Sequence, residues 1–150
     1  MQSDSLMKRL TALFLSVACY GSAGCLFGDP PASPTNYTIV SPVTETFQSA
    51  LAVGATASFN FVIGSPDPLR ITLASVTNSA SGAALSSQTL KLQLGTRAGD
   101  TCTPTFTTTT AAALSPQYLQ VASPGNYCVI VSDPGTLTTT VNFAVRIVHS

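Results

Sequence analysis

Gly125-Asn126-Tyr127-Cys128-Val129-Ile130-Val131-Ser132-Asp133-Pro134-Gly135 is the stretch from which the fold is read. Tyr127 to Val131 is a run of aromatic and β-branched residues around one cysteine, the composition of a buried strand. Ser123-Pro124-Gly125 precedes it and Asp133-Pro134-Gly135 follows, and both triplets are turn formers that end such a run. Cys128 therefore falls inside a central strand, and its expected partner is Cys102, placed in an upstream loop. A disulfide closing that loop stabilises a small domain by about 3.5 kcal/mol in the chain-entropy description.

Outward from this strand the same logic repeats. Ala57, Phe59, Phe61 and Ile63 alternate with Ser58, Asn60 and Val62, the period-two pattern of a half-buried strand. Gly64 to Pro68 turns the chain, and Leu69, Ile71 and Leu73 then alternate with Arg70, Thr72 and Ala74. Asn78 to Ser87 reads as a loop, Leu90, Leu92 and Leu94 as a strand, and Gly95 to Asp100 as a turn. Leu119-Gln120-Val121 predicts a short strand and Val141 to Val148 a long one, with Val141, Phe143, Val145 and Ile147 on one face. The run Thr105 to Thr110 is ambiguous, and Ala111 to Leu114 fits one helical turn limited by Pro116. Short strands separated by Gly/Pro turns, with no sustained helical period, predict an all-β fold: an antiparallel β-sandwich of jelly-roll type with one disulfide.

Composition narrows the function. Of 150 residues only 8% are charged, against about 25% in a typical domain. From Cys25 onward there are four bases (Arg70, Lys91, Arg97, Arg146) and five acids (Asp29, Glu45, Asp67, Asp100, Asp133). Nucleic-acid binding needs a basic patch to neutralise phosphates, and this scatter does not form one, so no nucleic-acid partner is expected.

The N-terminus is an address. Lys8 and Arg9 precede an apolar core, Leu10 to Cys19, and small residues follow at Gly21 to Gly24, the layout of a secretory signal peptide. A retained membrane anchor is the alternative, diluted by Tyr20, Gly21, Ser22 and Gly24. Ala23-Gly24-Cys25 resembles the lipobox of bacterial lipoproteins, in which the cysteine is lipidated and becomes the mature N-terminus. Lipidation would use Cys25 and leave Cys102 and Cys128 as one clean pair, whereas plain secretion would leave an odd thiol. That resemblance implies a multiply acylated, stable anchor in the membrane. Residues 1–24 are thus expected to be a signal peptide, 25–36 a lipid-anchored Pro-rich tether and 37–150 the sandwich. Asp29 to Thr35 has the composition of a semi-rigid spacer. Asn36-Tyr37-Thr38 matches a glycosylation acceptor, which in a bacterial chain is accidental.

Leu51 to Thr56 leading into Phe59-Asn60-Phe61, then Leu69 to Leu73, then Gly125 to Val131, resembles the bacterial pre-peptidase C-terminal (PPC) domain. That resemblance runs from about Phe47 to Val148 and implies a jelly-roll sandwich used as a non-catalytic appendage of secreted proteins. No protease domain accompanies it in this chain.

Candidate chemistry is sparse. His149 is the one histidine and reads as a solvated terminal residue, so a Ser-His-Asp triad or a Cys-His pair would have to use it. Asp67, Asp100 and Asp133 stand singly beside turn residues, where Asp bonds nearby backbone amides. Neither a metal site nor a cofactor is expected. Tyr37, Tyr118, Tyr127 and Phe106 are the aromatics that could line a ligand face, with Tyr127 read as core and the others as loop or rim. The expectation is a non-enzymatic lipoprotein of the cell envelope, on the outer membrane or cell surface, or else secreted. Its partners would be the membrane through Cys25 and an envelope protein or a glycan. The alternatives are a carbohydrate-binding module, or an adhesin or fibre subunit whose edge strands pair with partners.

Overall fold

Alternation of inward and outward side chains builds eight strands and no helix in the computed structural model, which describes residues 41–150. The signal peptide, Cys25, the tether and Tyr37 lie outside the described residues. In order the strands are β1 (Val43–Leu51), β2 (Thr56–Ile63), β3 (Asp67–Asn78), β4 (Thr89–Ala98), β5 (Thr101–Ala111), β6 (Tyr118–Ala122), β7 (Gly125–Ser132) and β8 (Val141–His149). They form two antiparallel sheets, β1-β8-β3-β6 and β2-β7-β4-β5. That order is a jelly roll, as expected.

The sheets face each other across a core of Leu69, Ile71 and Leu73 from β3, Val145 and Ile147 from β8, Leu90 and Leu92 from β4, and Val129 and Val131 from β7. Aromatic pairs close the sandwich at both sides. Phe47 of β1 stacks on Phe59 of β2 with centroids 5.0 Å apart, and Phe106 of β5 meets Tyr118 of β6 edge-on at 5.0 Å. Phe59 also reaches Phe143 of β8 through the middle.

Two bulges break the period-two rule, and each has a consequence. In β3, Leu73 pairs with Val145 but Ser75 pairs with Ala144, so Ala74 is an extra residue. The apolar set Leu69, Ile71, Leu73 continues at Val76, which is buried, while Ser75 and Thr77 turn to the outer face. In β5, Leu94 opposes Phe106 and Gly95 opposes Pro104, which leaves Thr105 unpaired.

The second bulge explains the disulfide. Cys102 lies in β5, not in a loop, and Cys128 lies in β7, with β4 between them. Strands two apart are separated by about 9.6 Å, yet the two Cα atoms are 6.0 Å apart. The start of β5 must therefore curl over β4, and it does so at Gly95, which pairs with both Cys128 and Pro104. A Cβ at Gly95 would collide with the Thr103 carbonyl oxygen and sit 2.7 Å from its carbon. Only glycine leaves room for that crossing. The sequence-based turn at Gly95 to Asp100 is accordingly shorter than expected: β4 runs on to Ala98 and only Gly99-Asp100 turns. Likewise Ala111 ends a strand rather than opening a helical turn, because Phe106 to Thr110 pairs along β4.

Candidate functional site

Residues paired directly across antiparallel strands share a face, so the registers define each sheet's outer surface. On the β1-β8-β3 surface, Gln48, Ala144 and Ser75 form one row, and Ala50, Asn142 and Thr77 the next. The two alanines are short, so the taller polar side chains around them enclose a groove of about 390 Å³. Gln48, Asn142, Ser75 and Thr77 make no side-chain hydrogen bond to another described residue. By contrast Gln88, Gln93, Gln117 and Asn78 all spend their amides internally. The adjoining row holds Thr46, Arg146 and Thr72, and Arg70 pairs with Val148 beyond it. A smaller hollow of about 220 Å³ lies beside the groove, between the β3 bulge and Leu114.

The anticipated site residues are arranged otherwise. His149 is not solvated: it is 3% exposed, with its ring against Phe61 at 5.6 Å. Its Nε2 lies 2.9 Å from Glu45 Oε1, and Nδ1 lies 3.2 Å from the Ser150 carbonyl oxygen. β8 extends to His149 because β1 pairs with it up to Val43, and the Gly64 amide donates to the Ser150 oxygen at 3.0 Å. A residue near a chain end is thus locked in by its strand partner.

Asp133 does turn chemistry, as its neighbours Pro134 and Gly135 imply. One carboxylate oxygen accepts the amides of Gly135, Thr136 and Leu137 at 2.8 to 3.1 Å. The other accepts the Gly54 amide at 2.9 Å, across to the β1–β2 turn, where Gly54 adopts a left-handed φ of 72°. These bonds, the one from Gly54 foremost, hold the Asp133 carboxyl below the usual carboxylate range. Asp100 pairs with Arg97 at 3.2 Å. Among the described residues no three of His, Cys, Asp and Glu gather as a metal site.

The aromatics do not form an exposed platform. Phe106 and Tyr118 sit on strands rather than loops and pack with Tyr127 against the core. Burial, and secondarily the nearby Tyr127, raises the Tyr118 phenol above its ordinary value. Tyr127 stacks on Phe61 and donates its hydroxyl to the Ser123 carbonyl at 2.8 Å.

No residue of the groove was singled out in the sequence. Its one advance sign was the break of parity at Leu73-Ala74-Ser75-Val76. Compared with known proteins, the chain matches no protein-family model and no curated protein.

Proposed function

We propose that this is a non-enzymatic binding or accessory module of the bacterial cell envelope. It is exported by a signal peptide over 1–24, anchored by lipid on Cys25 and held off the membrane by the tether 25–36. Its partner, an envelope protein or a glycan, binds the outer face of the β1-β8-β3-β6 sheet. The observation that carries this reading is the groove itself: four hydrogen-bonding side chains on one sheet face, none engaged by another described residue. The resemblance to PPC domains, which serve secreted proteins as appendages, supports the accessory role. So does the commitment of Asp133 to backbone amides and of Asp100 to Arg97, which leaves few carboxylates for acid–base chemistry.

The address is tested by the intact mass of the protein from its host, with and without reduction. An acylated chain starting at Cys25 that gains only the two hydrogens of one disulfide supports it; a chain retaining Met1 defeats it. The binding face is tested by a photo-crosslinking residue at Gln48 in cells. Absence of any adduct there, with adducts from a control on the opposite sheet, would remove the face from consideration.

A fibre subunit is a second reading, favoured by edge strand β6. It carries no charge, and Leu119 and Val121 on it are 58% and 73% exposed. Sedimentation showing a monomer at every concentration excludes it.

A further inference from the structure

We infer that the outer face of the β1-β8-β3-β6 sheet is a receptor for a carboxylated saccharide: Arg146 and Arg70 take the carboxylates and the adjoining groove takes the hydroxyl-bearing ring. This rests on the reading that this face is the binding face, and names its ligand.

The distribution of charge supplies the first reason. Of the four cations among the described residues, Arg97 is paired with Asp100, and Lys91 lies on the other sheet beside Thr109 and Ser132. Arg70 and Arg146 are both exposed, both on this face, and neither has a carboxylate of another described residue within ion-pair distance. The described acids do not face them: Glu45 turns inward to His149, Asp133 is held in its turn, Asp100 pairs with Arg97, and Asp67 begins β3 on the inward parity of Leu69 and Ile71. Arg146 pairs with Thr72 and Arg70 with Val148, so the two guanidiniums occupy neighbouring rows of adjacent strands. Like charges so placed repel, and a bound anion relieves that repulsion. Arginine's planar fork suits a carboxylate, which it can hold through two parallel hydrogen bonds.

The groove supplies the second reason. Ala144 and Arg146 are two residues apart on β8 and face the same way, so the Arg146 Cα lies about 7 Å along the strand from the groove floor, within the reach of its side chain. Gln48 and Asn142 each offer a donor and an acceptor, and the Ser75 and Thr77 hydroxyls can act as either. Such a lining matches a ligand that presents donors and acceptors together, as sugar hydroxyls do. A nucleic-acid strand would need more cations and a stacking surface, and among the described residues no aromatic side chain stands on the outward parity of these strands. An acidic protein partner would need an apolar centre to bury; the groove floor offers two alanines, and the exposed Leu119 and Val121 lie at the β6 edge, across β3 from the groove.

The test is calorimetric titration of the mature protein with an oligogalacturonate and with its methyl ester, which keeps the sugar and removes the charge. The acid form should bind at least about tenfold tighter than the ester, and added salt should narrow the gap. Arg146→Gln should lower affinity for the acid form about tenfold and leave the ester unchanged, while Asn142→Ala should weaken both. Arg146 is exposed, so an unaltered unfolding midpoint certifies that variant. Equal affinity for acid and ester, or an Arg146→Gln protein that binds as the wild type does, overturns the inference. If neither saccharide binds but the crosslinker at Gln48 traps a polypeptide, the saccharide is wrong and the binding-face reading survives. If neither saccharide binds and nothing crosslinks, both fall.

Discussion

Gly95 and Asp133 show how single residues set geometry that no neighbour could. At Gly95 the missing Cβ is the space through which the Thr103 carbonyl passes as β5 crosses toward Cys128. Gly95→Ala should therefore destabilise the oxidised protein by about 2 kcal/mol or more, the range of core overpacking, read from urea unfolding. The effect should shrink in a Cys102→Ser/Cys128→Ser background, where β5 is free to lift away; an equal loss in both backgrounds would show that the disulfide does not press β5 onto β4. Asp133 acts through its charge. Its folded pKa lies below the unfolded carboxylate value of about 3.9, so its contribution is complete above that value and is lost as pH falls through the folded pKa. Asp133→Asn should lower the melting temperature at neutral pH and flatten the acid limb of the stability curve. Parallel acid limbs for the two proteins would contradict the amide cage.

At the scale of elements, the Ala74 bulge in β3 does two jobs at once. It keeps Val76 in the core and presents Ser75 and Thr77 to the groove. Deleting Ala74 removes the extra residue and leaves Leu73 opposite Val145 and Ser75 opposite Ala144, so strict alternation keeps Val76 inward and Ser75 and Thr77 outward. The deletion variant should therefore lose less than the burial of one valine is worth, about 2 kcal/mol, in urea unfolding. Saccharide binding should persist. A variant that loses more than this, or no longer binds, would show that β3 realigns and that the facing assigned to Ser75, Val76 and Thr77 is wrong.

For the whole molecule, the topology is dominated by pairings of strands distant in the chain: β1 with β8, β2 with β7 and β3 with β8. Loop closure must be completed before such pairings stabilise anything, so refolding of the oxidised chain should take roughly milliseconds to seconds. Stopped-flow tyrosine fluorescence reads this directly, because Tyr118 and Tyr127 sit in cross-strand aromatic pairs. Full recovery of amplitude within microseconds would mean that local contacts dominate.

Much of this architecture was legible in the sequence, for a local reason. Strand alternation and turn chemistry are properties of a few consecutive residues. Phe59 to Ile63, Leu69 to Leu73, Leu90 to Leu94 and Val141 to Ile147 therefore announced their strands and inward faces, and Asp133-Pro134-Gly135 its turn. The two cysteines announced their pairing. β1 was silent because its inward set mixes Glu45 and Ser49 with Phe47 and Leu51, and β5 because a threonine run suits either face. What only the tertiary structure decided were the features made by partners: the burial of His149 under β1, the passage of β5 over Gly95, and the groove. Ala50, Ala144 and Ser75 are unremarkable in their own strands. They make a depression only because pairing register, a non-local choice among strands, sets them side by side.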